Sequence, residues 1–150
     1  MRRLLLTIAV AGLLSAATLG DDEPGKTDKD EIQDTWAIVA IETNGEKRDT
    51  RELAKAGAAR IVITADNLAL PIELLTDEED ATYKIEPGKR PRAIDVTFTK
   101  GNLKGKTWQG IYSLRRDKLK MCFDRSGKGR PKAFVTKKED GLTLYYLERE

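Results

Sequence analysis

TWQGIYSLRRDKLKMCF, residues 107–123, carries the pattern that decides the fold. Trp108, Gly110, Tyr112 and Leu114 fall on one face at a period of two. Residues 115–118 then make a tight connection, and Leu119, Met121 and Phe123 return to the inside, with Lys118, Lys120 and Cys122 opposite. A helix would bring together residues three and four apart; strict alternation is the mark of a half-buried strand. Working outward, residues 93–99 set Ile94, Val96 and Phe98 against Asp95, Thr97 and Thr99, and residues 81–86 set Tyr83 and Ile85 against Thr82, Lys84 and Glu86.

The flanks continue in short strands. Residues 35–43 (TWAIVAIET) are rich in β-branched side chains and end at Asn44-Gly45, a strong hairpin signal. Residues 60–64, 68–75, 133–136 and 142–149 also read as strands, with Pro71 implying an edge or a bulge. Residues 50–56 form the one convincing helix, with Thr50 as cap and Gly57 as stop, and 30–33 fit at most a single helical turn. Eight or nine short strands at near-regular spacing point to an all-β domain, an antiparallel barrel or sandwich.

The first twenty residues have the composition of a secretory signal peptide. Arg2 and Arg3 precede a run, 4–14, of apolar and small residues broken by Thr7; Ser15-Ala16-Ala17 offers small residues for cleavage. Removing residues 1–20 leaves 130 residues, one domain with a single core. It also takes two of the 27 basic residues, so 25 remain against 25 acidic ones. A neutral mature chain argues against nucleic acid as a partner. Residues 21–30 are polar and read as a flexible lead-in, which leaves 31–150 as the barrel domain. The expected location is secreted or periplasmic, with no stable membrane anchor after cleavage, and the oligomeric state stays open.

Charge is unevenly placed. Residues 21–83 hold 17 acidic and 7 basic side chains; residues 100–138 hold 13 basic and 2 acidic. These runs read either as solvated faces or as a basic patch for an anionic partner.

Several stretches resemble a family of lipocalin-like domains of unknown function that is abundant in planctomycete bacteria. The matching pieces are IQDTW (32–36), NGEK (44–47), PRAIDVT (91–97), GIYSLRRDKLKMCF (110–123), GRPKAF (129–134) and LERE (147–150). The resemblance implies a lipocalin-like antiparallel β-barrel of about eight strands with one short helix, made with a secretion signal. The family usually has Gly where this chain has Asp34, and Gly-Asp where it has Arg116-Asp117. The wider lipocalin superfamily is similar in placing a Trp early in the first strand and an Arg late in the last. Trp36 and Arg149 hold those places, which implies a guanidinium stacked on an indole to close one end of the barrel. Read alone, Trp36 is equally a core residue and Arg149 a terminal charge.

The chemistry on offer is narrow. There is no histidine, so His-dependent triads are excluded. Cys122 is the one cysteine; no internal disulfide is possible, and it reads as a small half-buried filler. Residues 77–80 are acidic but lack the spacing of a calcium loop, so no metal and no cofactor is expected. Asp95, between Ile94 and Val96, is the candidate functional carboxylate; the alternative is a solvated or ion-paired side chain. Trp108 and Tyr112 read as ordinary core or as the wall of a ligand pocket, and Arg130, in the basic loop 126–131, as a loop charge or an anion contact.

The expected function is non-catalytic binding of an unknown small or extended ligand at the barrel mouth by Trp108, Tyr112 and Arg130. The alternative is a protein–protein module of the cell envelope, structural or inhibitor-like, using loops 100–106 and 125–132. An enzyme built on carboxylates is the third reading. The two expected partners are thus a small molecule or an envelope protein.

Overall fold

The computed structural model describes residues 25–71 and 78–150. The leader, residues 21–24 of the lead-in, and residues 72–77, including Asp77 and the end of the expected strand 68–75, lie outside them. In chain order the elements are α1 (Asp28–Glu31), β1 (Asp34–Thr43), β2 (Glu46–Asp49), α2 (Arg51–Lys55), β3 (Arg60–Ile63), β4 (Asn67–Pro71), β5 (Glu78–Glu86), β6 (Arg92–Phe98), β7 (Thr107–Arg115), β8 (Lys118–Asp124) and β9 (Leu142–Arg149).

β1 and β3 to β9 pair in sequence order, every pair antiparallel, and β9 returns to pair with β1 from Trp36↔Arg149 to Thr43↔Thr143. The result is a closed eight-stranded barrel with β2 outside it. Closure leaves no long unpaired edge among these strands. β2 hangs on β1 through the Asn44-Gly45 turn, where both residues have positive φ (54° and 78°) as a tight hairpin requires. The second edge of β1 is therefore divided: Asp34–Ala37 pair with β3, and Ala40–Thr43 with β2.

The interior is packed with side chains. Trp36, Ile38, Ile61, Ile63, Leu68, Leu70, Ile94, Val96, Phe98, Met121, Phe123, Tyr145 and Leu147 are all buried there, each contributing about 1.5–3 kcal/mol. Phe98 meets Trp108 edge-on at 4.7 Å, and Phe123 lies 6.1 Å from Trp108 and 6.3 Å from Tyr145. Gly110 shows how tight this is: a Cβ there would stand 2.5 Å from the Phe123 ring and 2.7 Å from the Cys122 carbonyl. The glycine leaves room for that ring.

Two short helices accompany the barrel, where the sequence reading has one. Thr27 and Asp30 form a capping box that nucleates α1, so Asp28, Lys29 and Asp30 belong to a helix and not to a flexible lead-in. Thr50 sits at the N-cap of α2 but does not cap it; its hydroxyl donates to the Ile38 carbonyl and pins the helix to β1. Pro71 closes β4 opposite Glu78, beyond the last β3 partner of β4, so its missing N–H interrupts no ladder. Residues 133–136 are not a strand. β8 and β9 pair directly from Asp124↔Leu142 to Lys118↔Glu148, leaving no edge for an intervening strand.

Residues 125–141 instead form a strap over the outer face. Beneath it Ile111, Cys122 and Leu144 are fully buried, with Phe134, Leu142 and Tyr146 packed around them. Cys122 is thus not half-buried, and burial pushes its thiol up to about 12. Asp124 anchors the strap by accepting from Ser126 N (2.7 Å), Ser126 Oγ (2.5 Å) and Gly129 N (2.7 Å). Glu42 holds its far end by accepting from Thr136 N and Oγ1.

Candidate functional site

The three side chains expected to share a ligand do not meet. Trp108 is 4% exposed, inside the Phe98–Phe123 cluster, with Arg125 over its ring at 5.1 Å. Tyr112 lies four residues further along β7, about 13 Å at the strand rise, and is 1% exposed. Its hydroxyl donates to Asp28 Oδ2 on α1 at 2.6 Å, and Arg92 Nη1 approaches the same oxygen at 3.2 Å. Burial first, and then the Asp28 carboxylate, push the Tyr112 phenol well above its ordinary range. α1 thus seals this end, with Ile32 buried and Lys29 Nζ 3.8 Å above the Tyr83 ring.

Arg130 lies outside, across β6 and β7. Its Nη1 donates to the carbonyls of Gly110 (2.7 Å) and Ile94 (3.3 Å), and its Nη2 stands 2.8 Å from Asp95 Oδ1. That oxygen is buried yet has no hydrogen bond, so the Asp95 contact is charge to charge, off the donor direction. Two candidates named separately from the sequence are therefore one half-buried ion pair that ties the strap to the wall.

Trp36 and Arg149 are cross-strand partners at the sealed end. The Arg149 guanidinium stands 4.5 Å over the Trp36 ring and donates to Asp34 Oδ2 (2.6 Å), Asp117 Oδ1 (3.2 Å) and the carbonyls of Glu31 and Arg116. The Trp36 indole N–H donates to the Ile32 carbonyl at 2.8 Å. Asp34 thus serves as a counterion, and its bond to Arg149 holds its carboxyl below the usual aspartate range.

Open concavities lie on the outside: one of about 500 Å³ at this sealed end, lined by charged side chains around Asp34, Asp117 and Arg149, and two on the outer wall. A groove of about 510 Å³ runs between β2 and the β8–β9 pair. Val39, Ala40 and Tyr146 form its floor; Lys47, Arg51, Lys118 and Lys120 surround it, with Asp49 and Glu148. A second hollow of about 280 Å³ shares Val39, Arg51 and Glu148 and continues over α2 to Arg60.

A β-bulge makes the groove. Ile38 pairs with Leu147 and Ala40 with Tyr146, leaving Val39 as the extra residue. Just there Ile38 N donates to Ala59 O and Val39 O accepts from Thr50 N, so β1 passes from β3 to β2. Bulges gather at such edges and beside functional sites. Ala40, being small, lets Lys47 cross it to reach the Tyr146 ring at 3.7 Å, while Lys120 approaches the same ring at 5.6 Å. The Tyr146 hydroxyl donates to Glu42 Oε2 at 3.0 Å, and burial with that bond pushes it up to about 12.

Sequence reasoning placed Lys118 and Lys120 on an outward face and assigned no role to Tyr146 or to β2. The available signal was the alternation Lys118-x-Lys120 facing an aromatic strand. Comparison with known proteins finds no matching family model, no matching curated protein and no matching solved structure.

Proposed function

We propose that the protein is a non-catalytic binding protein acting outside the cytoplasm, and that it takes its ligand on the outer wall of the barrel. One observation carries this reading: Trp108 and Tyr112 are packed into the core, while a groove of about 510 Å³ stands open between β2 and β9. That volume lies within the range of small-molecule sites. The extracytoplasmic setting rests on the leader's composition, and the lipocalin-like resemblance supports a binding role by analogy only. The test is native mass spectrometry of protein purified from its own envelope, beside an Ala40→Phe variant that fills the groove. A retained mass on the wild type that the variant lacks supports the reading. A mass that persists in the variant places the ligand elsewhere.

A second reading, an envelope protein–protein module, is favoured by the exposed cations of the two basic loops. Lys104, Lys106, Lys128 and Lys132 are exposed, and none has a carboxylate within 4 Å among the described residues. Such a complex weakens sharply as ionic strength rises, whereas an apolar contact does not.

A further inference from the structure

We infer that the groove ligand is a small molecule with an apolar body and one oxyanion, a carboxylate or a phosphate, held between Lys47 and Lys120. The inference rests on the outer-wall reading and goes further by naming the chemistry of the ligand.

Two ammonium groups converge on one ring, Lys47 at 3.7 Å and Lys120 at 5.6 Å from the Tyr146 centroid. The ring's negative face attracts each of them, and they reach it from different strands, Lys47 from β2 and Lys120 from β8, with β1 and β9 between. The Lys47 charge acts on the nearby Glu42 and Asp49 carboxylates, but both are bonded to other groups. Glu42 has its oxygens bonded to Thr136 and Tyr146, and Asp49 accepts from Arg51 N (2.9 Å) and Nη1 (2.5 Å). Glu148 sits opposite Lys118 in the ladder, yet none of Lys47, Lys118 and Lys120 has a carboxylate within 4 Å among the described residues. Cations left without a carboxylate contact beside a bulge and a concavity are the kind of local inconsistency that marks a functional site.

The rest of the groove sets the other half of the ligand. Val39 and Ala40 give an apolar floor, and about 510 Å³ holds one small molecule, not a run of polymer. An oxyanion in the groove beside Tyr146 would give Lys47 and Lys120 the anionic partner that both lack. Carboxylate and phosphate share this chemistry, and separate probes tell them apart.

The experiment is an amide-shift titration of the full chain with benzoate, phenyl phosphate and the neutral analogue benzamide. Both anions are expected to shift the amides of Val39, Ala40, Lys47, Lys120 and Tyr146, with benzamide about tenfold weaker, as two exposed ion pairs allow. The stronger anion identifies the headgroup. The double variant Lys47→Gln/Lys120→Gln is expected to bind either anion about tenfold more weakly, whereas Lys84→Gln/Lys138→Gln, at exposed lysines away from the groove, leaves binding unchanged. Both pairs lie on the surface, and an unchanged melting curve verifies the fold. Benzamide binding in the groove as tightly as benzoate overturns the oxyanion and leaves outer-wall binding standing. Anions that shift only loop amides, or none, overturn the inference, and the native-mass comparison then decides the outer-wall reading by itself.

Discussion

Toward the strap, the outer wall of β7 to β9 carries Ile111, Cys122 and Leu144, and residues 125–141 fold back over them. Toward α1, β8 and β9 carry Lys118, Lys120, Tyr146 and Glu148, and the wall stays an open groove. The inside of these same strands is uniform throughout: Leu119, Met121, Phe123, Tyr145 and Leu147 all join one core. Strand periodicity dictates an inward face everywhere, but the outward face must be covered only where it is apolar. The chain therefore uses a long strap for one half of the wall and leaves cations around an aromatic ring on the other. Connections this long without secondary structure are uncommon and call for a reason; here the reason is the apolar patch beneath.

The comparison can be broken first from the inside. Gly110→Val places a branched side chain against the Phe123 ring and the Cys122 carbonyl, and should lower stability by about 3 kcal/mol, near 10 °C in Tm. A variant that melts like the wild type would mean that the interior has slack. Next comes the strap. Asp124→Ala removes three bonds to residues 126–129 and should cost about 2 kcal/mol. Because Cys122 lies under the strap, thiol labelling at pH 8 should be slow in the wild type and faster in this variant. Equal labelling rates would separate Asp124 from the covering of the patch.

At the sealed end, Arg149→Gln should cost about 1.5 kcal/mol through the lost indole contact and the lost bonds of a mostly buried guanidinium. It should also flatten the acid limb of stability. Arg149 lowers the Asp34 carboxyl, so this contribution is fully present above the ordinary value of 3.8 and is lost as pH falls through the depressed folded value. Urea melts between pH 6 and pH 3 on both proteins measure it. A smaller gain comes from Arg116→Gly: Arg116 has φ 51° in the β7–β8 turn, and glycine should relieve about 1 kcal/mol of strain. Smallest of all, Lys120→Gln on the open wall should move stability by no more than about 0.5 kcal/mol while weakening anion binding.

Much of this was legible in the sequence. Ile94, Val96 and Phe98 alternate with polar residues, and a period of two admits only a half-buried strand. Barrel closure was not legible from β1, because TWAIVAIET is apolar on both faces and fits either register; the bulge at Val39 resolves it. β2, the chain EKRD, is wholly exposed and carries no hydrophobic signal. Residues 133–136 misled for the opposite reason: AFVT looks like a strand, yet Phe134 is apolar because it packs down onto the Ile111–Cys122–Leu144 patch. Lys120 and Tyr146 are ladder partners in the β8–β9 pair, but Lys47 joins them only through the handover of β1 from β3 to β2.

Xenon pressurisation of crystals asks most directly whether binding belongs to the outer wall. Xenon occupies dry apolar cavities, and a core packed as tightly as this one offers it none. The expected map has no xenon atom among Trp108, Phe123, Tyr145 and Tyr112 inside the barrel. A xenon atom there would reveal a hollow interior, return the ligand to the barrel itself and contradict the account.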